Sequence, residues 1–348
     1  MTKKQIIIGI DTHKEFHVAA AIDLTSRVVD YLTFDANRAG FRDLIAWVKK
    51  TGSVLRFGIE GTGCYGASLS RFLAANNFEV LEINRPNRQL RRSRGGKTDY
   101  VDAESAARSA LSGELSICPK SALGYVESLR PLRVTRRSAI KSRSVVYNQI
   151  EALLVTAQDQ LREESKKMTR NERITFLSQK RPDESQSEIF ALRSLAKRAL
   201  LLTEEINEID QRLERILAAN APKELLELKG VGTDVAGALL VAIGDNPDRM
   251  RSVASFSALC GVSPVNASSG KTIRHRVNRG GNREANSALW RIVMVRLSHD
   301  ERTKTYVEKR TLEGKSKKEI IRCLKSYVAR EVFNAITTSM SCELAQAA

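Results

Sequence analysis

The stretch IIIGIDTHK, residues 6–14, decides how the front of this chain folds. Four isoleucines interrupted only by Gly9 read as a buried strand, and the strand ends on an acid, Asp11, at the C-terminal edge where α/β sheets place ligands. Working outward, further β-branched runs bounded by polar or Gly-containing turns predict strands at 16–22, 28–34, 54–60 and 79–83, and helices at about 39–50, 67–76 and 98–112. The expectation is an α/β domain over residues 1–115. Three opening strands followed by alternating helices and strands is the order of the ribonuclease-H-like (RNase H-like) fold.

Beyond this domain the chain turns helical. Arg130, Arg133, Arg136, Arg137, Lys141 and Arg143 face one nearby acid, Glu127, and a later run places Leu192, Leu195, Ala199, Leu202, Ile206, Ile209, Leu213 and Ile216 at alternating threes and fours. That is the 3.5-residue seam of a coiled coil, so residues 116–221 are expected to be a helical connector whose partner helix lies either earlier in the chain or in a second subunit. Residues 222–348 then form a mainly α domain. It opens on LKGVGTDVAGALLVAIGD (228–245), which looks like a helix-hairpin-helix element offering backbone N–H groups to a phosphate.

Charge narrows the partners. Lys and Arg number 57 against 40 Asp and Glu, a formal net charge of +17, which favours a polyanion through counterion release. No apolar stretch approaches the ~18 residues of a membrane span, and the five scattered cysteines form no C-x-x-C pair for zinc or a disulfide frame. A soluble protein of the reducing cytoplasm is expected, associated with the nucleoid.

Four acids stand out against this basic background. Asp11 and Glu60 each end a strand, and neighbouring strands lie ~4.8 Å apart, so the two can share a cation. Asp99 and Asp102, in KTDYVDA, are three positions apart on one face of the helix that opens there. If that helix packs beside strand one, four anionic groups meet, and like charges at close range need a counterion. A hard divalent ion, Mg²⁺ or Mn²⁺, suits carboxylate and phosphate oxygens. Taken singly, each acid also has a plain structural use: Asp99 can cap its helix and Asp11 can form a turn. His13 is left outside the set as a hydrogen-bonded structural residue.

Two basic loops complete the candidate surface. PNRQLRRSRGGK (86–97) carries Arg91, Arg92, Arg94 and Lys97, and NASSGKTIRHRVNRGGNR (266–283) carries Lys271, Arg274, Arg276, Arg279 and Arg283 behind Ser268 and Ser269. Arginines clamp phosphates bidentately, whereas a serine hydroxyl needs a base, a metal or cations before it attacks anything. By residue chemistry alone, the serine is a phosphate-binding hydroxyl in a turn.

In order along nearly the whole chain, IGIDTHK, GIEGTGCYG, GGKTDYVDA, ELKGVGTDVAGALLVAIGD, GVSPVNASSGK and NRGGNREAN resemble the DEDD-type insertion-sequence transposases of the IS-one-ten family. The resemblance implies a RuvC-like N-terminal domain, a coiled-coil connector and a C-terminal transposase domain holding a catalytic serine. Matched by motif, the acids are Asp11, Glu60, Asp99 and Asp102, and the serine is Ser269, with Ser268 beside it. It further implies recombination of donor and target DNA through a phosphoserine link, without ATP, guided by a structured bridge RNA and carried out by a homo-oligomer, a dimer or tetramer. One departure is the loop KTIRHRVNRGGN, where many relatives have a more Gly-rich, RGKR-like stretch. Rival readings are a RuvC-like, metal-dependent structure-specific nuclease, an actin-like sugar kinase or ATPase, disfavoured by the missing Asp-Gly-Gly loop, and a non-catalytic RNA-binding scaffold.

Overall fold

The computed structural model describes residues 4–83, 98–113, 116–246, 249–266, 275–276 and 278–346. They divide into two compact units, Met1–Ala122 with Ile243–Arg249, and Leu123–Ala242 with Met250–Ala348.

The first unit is a mixed sheet. Strands β1 (Gln5–Thr12), β2 (Phe16–Asp23), β3 (Val28–Asp35), β4 (Ser53–Glu60), β5 (Val80–Ile83) and β6 (Ser116–Ile117) lie in the order β3-β2-β1-β4-β5-β6. β1, β2 and β3 run as an antiparallel meander, while β4 lies parallel to β1 and β5 parallel to β4. Helices α1 (Arg38–Thr51), α2 (Ala67–Ala75) and α3 (Asp99–Ser112) complete the unit. Because β1 is central, Ile6, Ile7, Ile8 and Ile10 are all buried, split by strand alternation between two layers. Ile6, Ile8 and Ile10 join Phe41, Leu44, Leu69 and Leu73 on one face. Ile7 meets α3 on the other, with Ala106, Ala107 and Ala110.

The approach of α3 to the sheet is unusually close and follows from small residues on both sides. A Cβ at Gly9 would lie 2.1 Å from the Ala103 carbonyl oxygen, and one at Gly58 would lie 2.7 Å from the Ala106 carbonyl oxygen. Neither glycine has room for a side chain, so α3 is pinned over β1 and β4 with its first turn at their C-terminal ends.

The sequence boundaries of these strands and helices hold to within a few residues. Two features had no counterpart in the expectation. β6 adds a short antiparallel edge to β5, and Asn246 and Arg249 bind to this unit, Asn246 accepting from the Ser121 N–H at 3.0 Å and the Arg249 Nε–H donating to the Cys118 carbonyl at 3.1 Å.

The second unit is mostly helical: α4 (Tyr125–Thr156), α5 (Asp159–Lys166), α6 (Arg170–Gln179), α7 (Ser187–Asn220), α8 (Lys223–Glu227), α9 (Thr233–Ile243), α10 (Val253–Leu259), α11 (Arg283–His299), α12 (Glu301–Leu312) and α13 (Lys317–Gln346), with a small ladder of β7 (Val265–Asn266) and β8 (His275–Arg276). The long helix α7 finds its partner in the same chain. Arg136 of α4 bonds Asp210, and Arg143 of α4 bonds Thr203 at 3.1 Å, so later residues of α4 meet earlier residues of α7 and the pair is antiparallel. The buried positions on α7 are Leu192, Ala196, Ala199, Ile206, Ile209, Leu213 and Leu217. Of the expected seam, Leu195, Leu202 and Ile216 are only partly buried, with Ala196 and Leu217 buried next to two of them, and Thr203 and Asp210 receive the arginines of α4.

Candidate metal centre

The acid site is built by β1, the turn after it and the start of α3. Asp11 follows Gly9 by two residues and Glu60 follows Gly58 by two, so strand alternation puts both acids on the face that α3 covers. Their strands are in register, Ile10 opposite Ile59, and Thr12 Oγ1 donates to the Glu60 carbonyl at 2.7 Å, which fixes the two strand ends side by side. Thr98 caps α3 by accepting from the Val101 N–H at 3.3 Å, and Asp99 and Asp102 fall in the first helical turn. There the helix dipole favours negative charge.

The structure brings Asp11 and Asp99 together and adds His13. Ligand atoms of these three residues all lie within 4.8 Å of one another. His13 Nε2 stands 3.2 Å from Asp11 Oδ2 and 3.4 Å from Asp99 Oδ1. The turn holds the histidine in place, with the His13 N–H bonding the Phe16 carbonyl at 3.1 Å and approaching His17 Nδ1 at 3.3 Å. His13 was set aside in the sequence as structural. Its spacing of two from Asp11, which places both on one side of an extended segment, was the signal that pointed to it.

Asp102 is buried on α3, outside the mutual three-residue group but close enough for its charge to act on Asp11. Burial is the main cause that pushes the Asp11 carboxyl above the ordinary carboxylate range; His13 opposes the rise, and Asp102 and Asp99 add to it. Glu60 lies partly exposed on the same sheet face, and its carboxylate is not one of the three mutually close groups.

The basic loops divide differently. Arg91, Arg92, Arg94, Lys97, Ser268, Ser269, Lys271 and Arg274 lie outside the described residues. Arg276, Arg279 and Arg283 are exposed, and none makes an ion pair among the described residues. Both flanks of the serine segment are anchored within the second unit. β7 pairs with β8, Val265 opposite Arg276 and Asn266 opposite His275. The Gly-Gly-Asn turn follows β8: the Asn282 N–H donates to the Leu259 carbonyl at 2.6 Å, and Asn286 Nδ2 donates to the Cys260 carbonyl at 2.8 Å. Gly281, at φ +87°, has no space for a Cβ, which would lie 2.6 Å from the Leu259 carbonyl. The NRGGN motif is therefore held against the end of α10.

In the stretch 228–245, expected as a helix-hairpin-helix element, Gly230 turns at φ +90° against Ile292, and Asp234 in the first turn of α9 is gripped by Arg133 at 2.6 Å and by Arg291. Burial pushes Asp234 up, but the two arginines outweigh it and hold its carboxyl below the ordinary range.

Residues 8–158 match the model of the DEDD transposases of the IS110 type, and residues 223–308 match the model described as "Transposase IS116/IS110/IS902 family". The chain belongs to the IS110 family of transposases. The first IS110 segment contains Asp11, Glu60, Asp99 and Asp102, and the second contains Ser268, Ser269 and the arginines around them. The chain is also similar to an "Insertion element IS110 uncharacterized 43.6 kDa protein" of Streptomyces coelicolor, 27% identical over 125 residues, or 35% of this chain and 31% of that relative. The match thus spans about a third of the relative's length. No helix among the described residues is long and apolar enough to cross a membrane.

Proposed function

We propose that this IS110-family protein is a DNA recombinase that cuts and rejoins donor and target DNA with two sets of residues, the acids Asp11, Glu60, Asp99 and Asp102 and the hydroxyl of Ser269. The observation that supports it most is the cluster in which Asp11, largely buried, faces Asp99 and Asp102 with His13 Nε2 3.2 Å from its carboxylate. The donor set is chemically suited to a hard divalent ion, being rich in carboxylate oxygen and placed at the sheet edge. Asp11 and Asp99 would hold Mg²⁺ or Mn²⁺, with Asp102 and Glu60 completing the charge around it. When bound, that ion supplies charge neutralisation at the scissile phosphate.

The chain's own residues do the rest. His13 orients Asp11 and Asp99, and Arg276, Arg279 and Arg283 grip the backbone of the DNA. Ser269 Oγ forms a new ester bond to phosphorus as the bond to the departing deoxyribose oxygen breaks, and the seryl proton ends on that oxygen. Attack by a second strand's hydroxyl on the phosphoserine reverses the exchange. One ester replaces another at each step, so no ATP is consumed. The sheet order β3-β2-β1-β4-β5 supports an RNase H-like, RuvC-like reading of the first unit, and the antiparallel α4–α7 pair supports a coiled-coil connector. A structured guide RNA and a dimeric or tetrameric assembly enter on family resemblance.

The test is a covalent adduct. Wild type, Ser269→Ala and Ser268→Ala are incubated with end-labelled DNA bearing the element's own junction and with RNA transcribed from its flanking non-coding segment, then run on a denaturing gel. Labelled protein that disappears in Ser269→Ala alone supports the reading. Cleavage without any adduct favours the RuvC-like nuclease, in which water is the attacking group.

A further inference from the structure

Away from the acids, the second unit contains a cavity of about 610 Å³ between α11, α12 and α13. Its size falls in the range of small-ligand sites. Val293, Leu324 and Val328, all three buried, make an apolar floor, and Tyr306 and Tyr327 form an aromatic wall. The two rings meet edge to face, with centroids 5.6 Å apart at 81°, which fixes the attitude of Tyr327 although half of its surface is exposed. Burial is the main cause that pushes the Tyr306 hydroxyl up to about 12, so it keeps its proton and remains a donor.

The charges around the cavity are of two kinds. Arg296, 12% exposed, is held by Glu331 at 2.6 Å and by the Lys229 carbonyl at 2.9 Å, so it belongs to the wall. Arg302 and Arg330 also line the cavity, are exposed, and make no ion pair among the described residues. A purely apolar ligand leaves these two guanidiniums idle, and an inorganic anion leaves the aromatic wall and apolar floor idle. A flat heterocycle joined to a phosphate uses all three.

We propose that this cavity receives an unpaired nucleotide of a single-stranded nucleic acid, the base stacking at Tyr327 and the adjoining phosphates lying on Arg302 and Arg330. The inference rests on nucleic acid being the substrate, as proposed above, and adds a second contact that reads unpaired rather than duplex strand. Stacking on an aromatic side chain is tolerant of base identity, so the site selects strandedness rather than sequence. DNA and RNA share the recognised chemistry, and the experiment separates them.

Full-length protein is titrated against fluorescein-labelled oligothymidylate, oligouridylate and a DNA duplex, with anisotropy as the readout. Tyr327→Ala is expected to weaken single-strand binding by about tenfold or more, and Tyr327→Phe to restore it. Duplex binding should change by less than about twofold, since an exposed ring contributes nothing to phosphate contacts there. Arg302→Gln combined with Arg330→Gln should flatten the salt dependence of single-strand binding by a slope of roughly 1.4 for two lost phosphate contacts. A Tyr327 effect on oligouridylate alone assigns the strand to RNA, and one on oligothymidylate alone to DNA. Unchanged single-strand affinity in Tyr327→Ala, or equal loss on duplex and single strand, overturns the proposal. Wild type that binds none of the three probes sinks the recombinase reading and this inference together, whereas duplex binding with an indifferent Tyr327 sinks the inference alone.

Discussion

Two clusters of carboxylates in this chain are treated in opposite ways. In the first unit, Asp11 faces Asp99 and Asp102, the imidazole of His13 stands 3.2 Å from it, and its carboxyl is pushed up. In the second unit, Asp234 is held by Arg133 and Arg291, Glu284 pairs with Arg133 at 3.5 Å and with Arg137, and the Asp234 carboxyl is held down. Both acids are largely buried, so desolvation does not separate them. The difference lies in the neighbours. An acid that folding has already paired with arginine is framework, whereas acids that folding turns toward one another are a site for a cation from outside.

The sharpest way to break this contrast is to exchange the acids for neutral groups. Asp11→Asn should reduce strand exchange by roughly a thousandfold, in line with losing a preorganised charge at a reacting phosphate, without lowering the melting temperature. Residual activity near wild type would end the catalytic assignment. Asp234→Ala should do the reverse at the level of folding. It leaves Arg133, whose side chain is only 10% exposed, with Glu284 at 3.5 Å as its remaining carboxylate, and should cost about 3 kcal/mol in denaturant unfolding. A loss below about 1 kcal/mol would show that the arginines find other partners.

Gly9→Ala tests the frame beneath the first cluster. The added carbon, 2.1 Å from the Ala103 carbonyl, has to lift α3 from β1; a destabilisation of about 2 kcal/mol and weaker Mn²⁺ binding are expected. Unaltered Mn²⁺ affinity in that variant would detach α3 from the site.

The smallest effect is on pH dependence. A carboxyl whose folded pKa is raised contributes stability below the ordinary carboxylate pKa and loses it as pH climbs through the raised value. Without metal, Asp11→Asn should therefore equal or exceed wild type in stability at neutral pH, and lose that advantage as pH falls to the ordinary Asp range. A variant less stable than wild type at neutral pH would reverse the sign assigned to Asp11.

Much of this arrangement was legible beforehand because its signals are local. β1 announces itself by a run of isoleucine ending on Asp11, and Asp99 and Asp102 share a helix face through their spacing of three. What stayed hidden depends on distant partners. The closeness of α3 arises from Gly9 and Gly58 meeting alanines some fifty to a hundred positions away. His13 enters the cluster through the hairpin that returns Phe16 and His17 against it. Asn246 bonds residues 119 and 121, and NRGGN grips the end of α10, contacts for which no periodicity exists in either segment. On α7 the repeat of 3.5 was readable, while its polar notches at Thr203 and Asp210 became intelligible only beside Arg143 and Arg136.

The most direct test of the cation site is a titration of the full-length protein with Mn²⁺ in the absence of nucleic acid, following free ion by electron paramagnetic resonance. Saturable binding that Mg²⁺ competes away, and that Asp11→Asn and Asp99→Asn each abolish, is the predicted result. Wild type and both variants withdrawing equal amounts of Mn²⁺ from solution would contradict it.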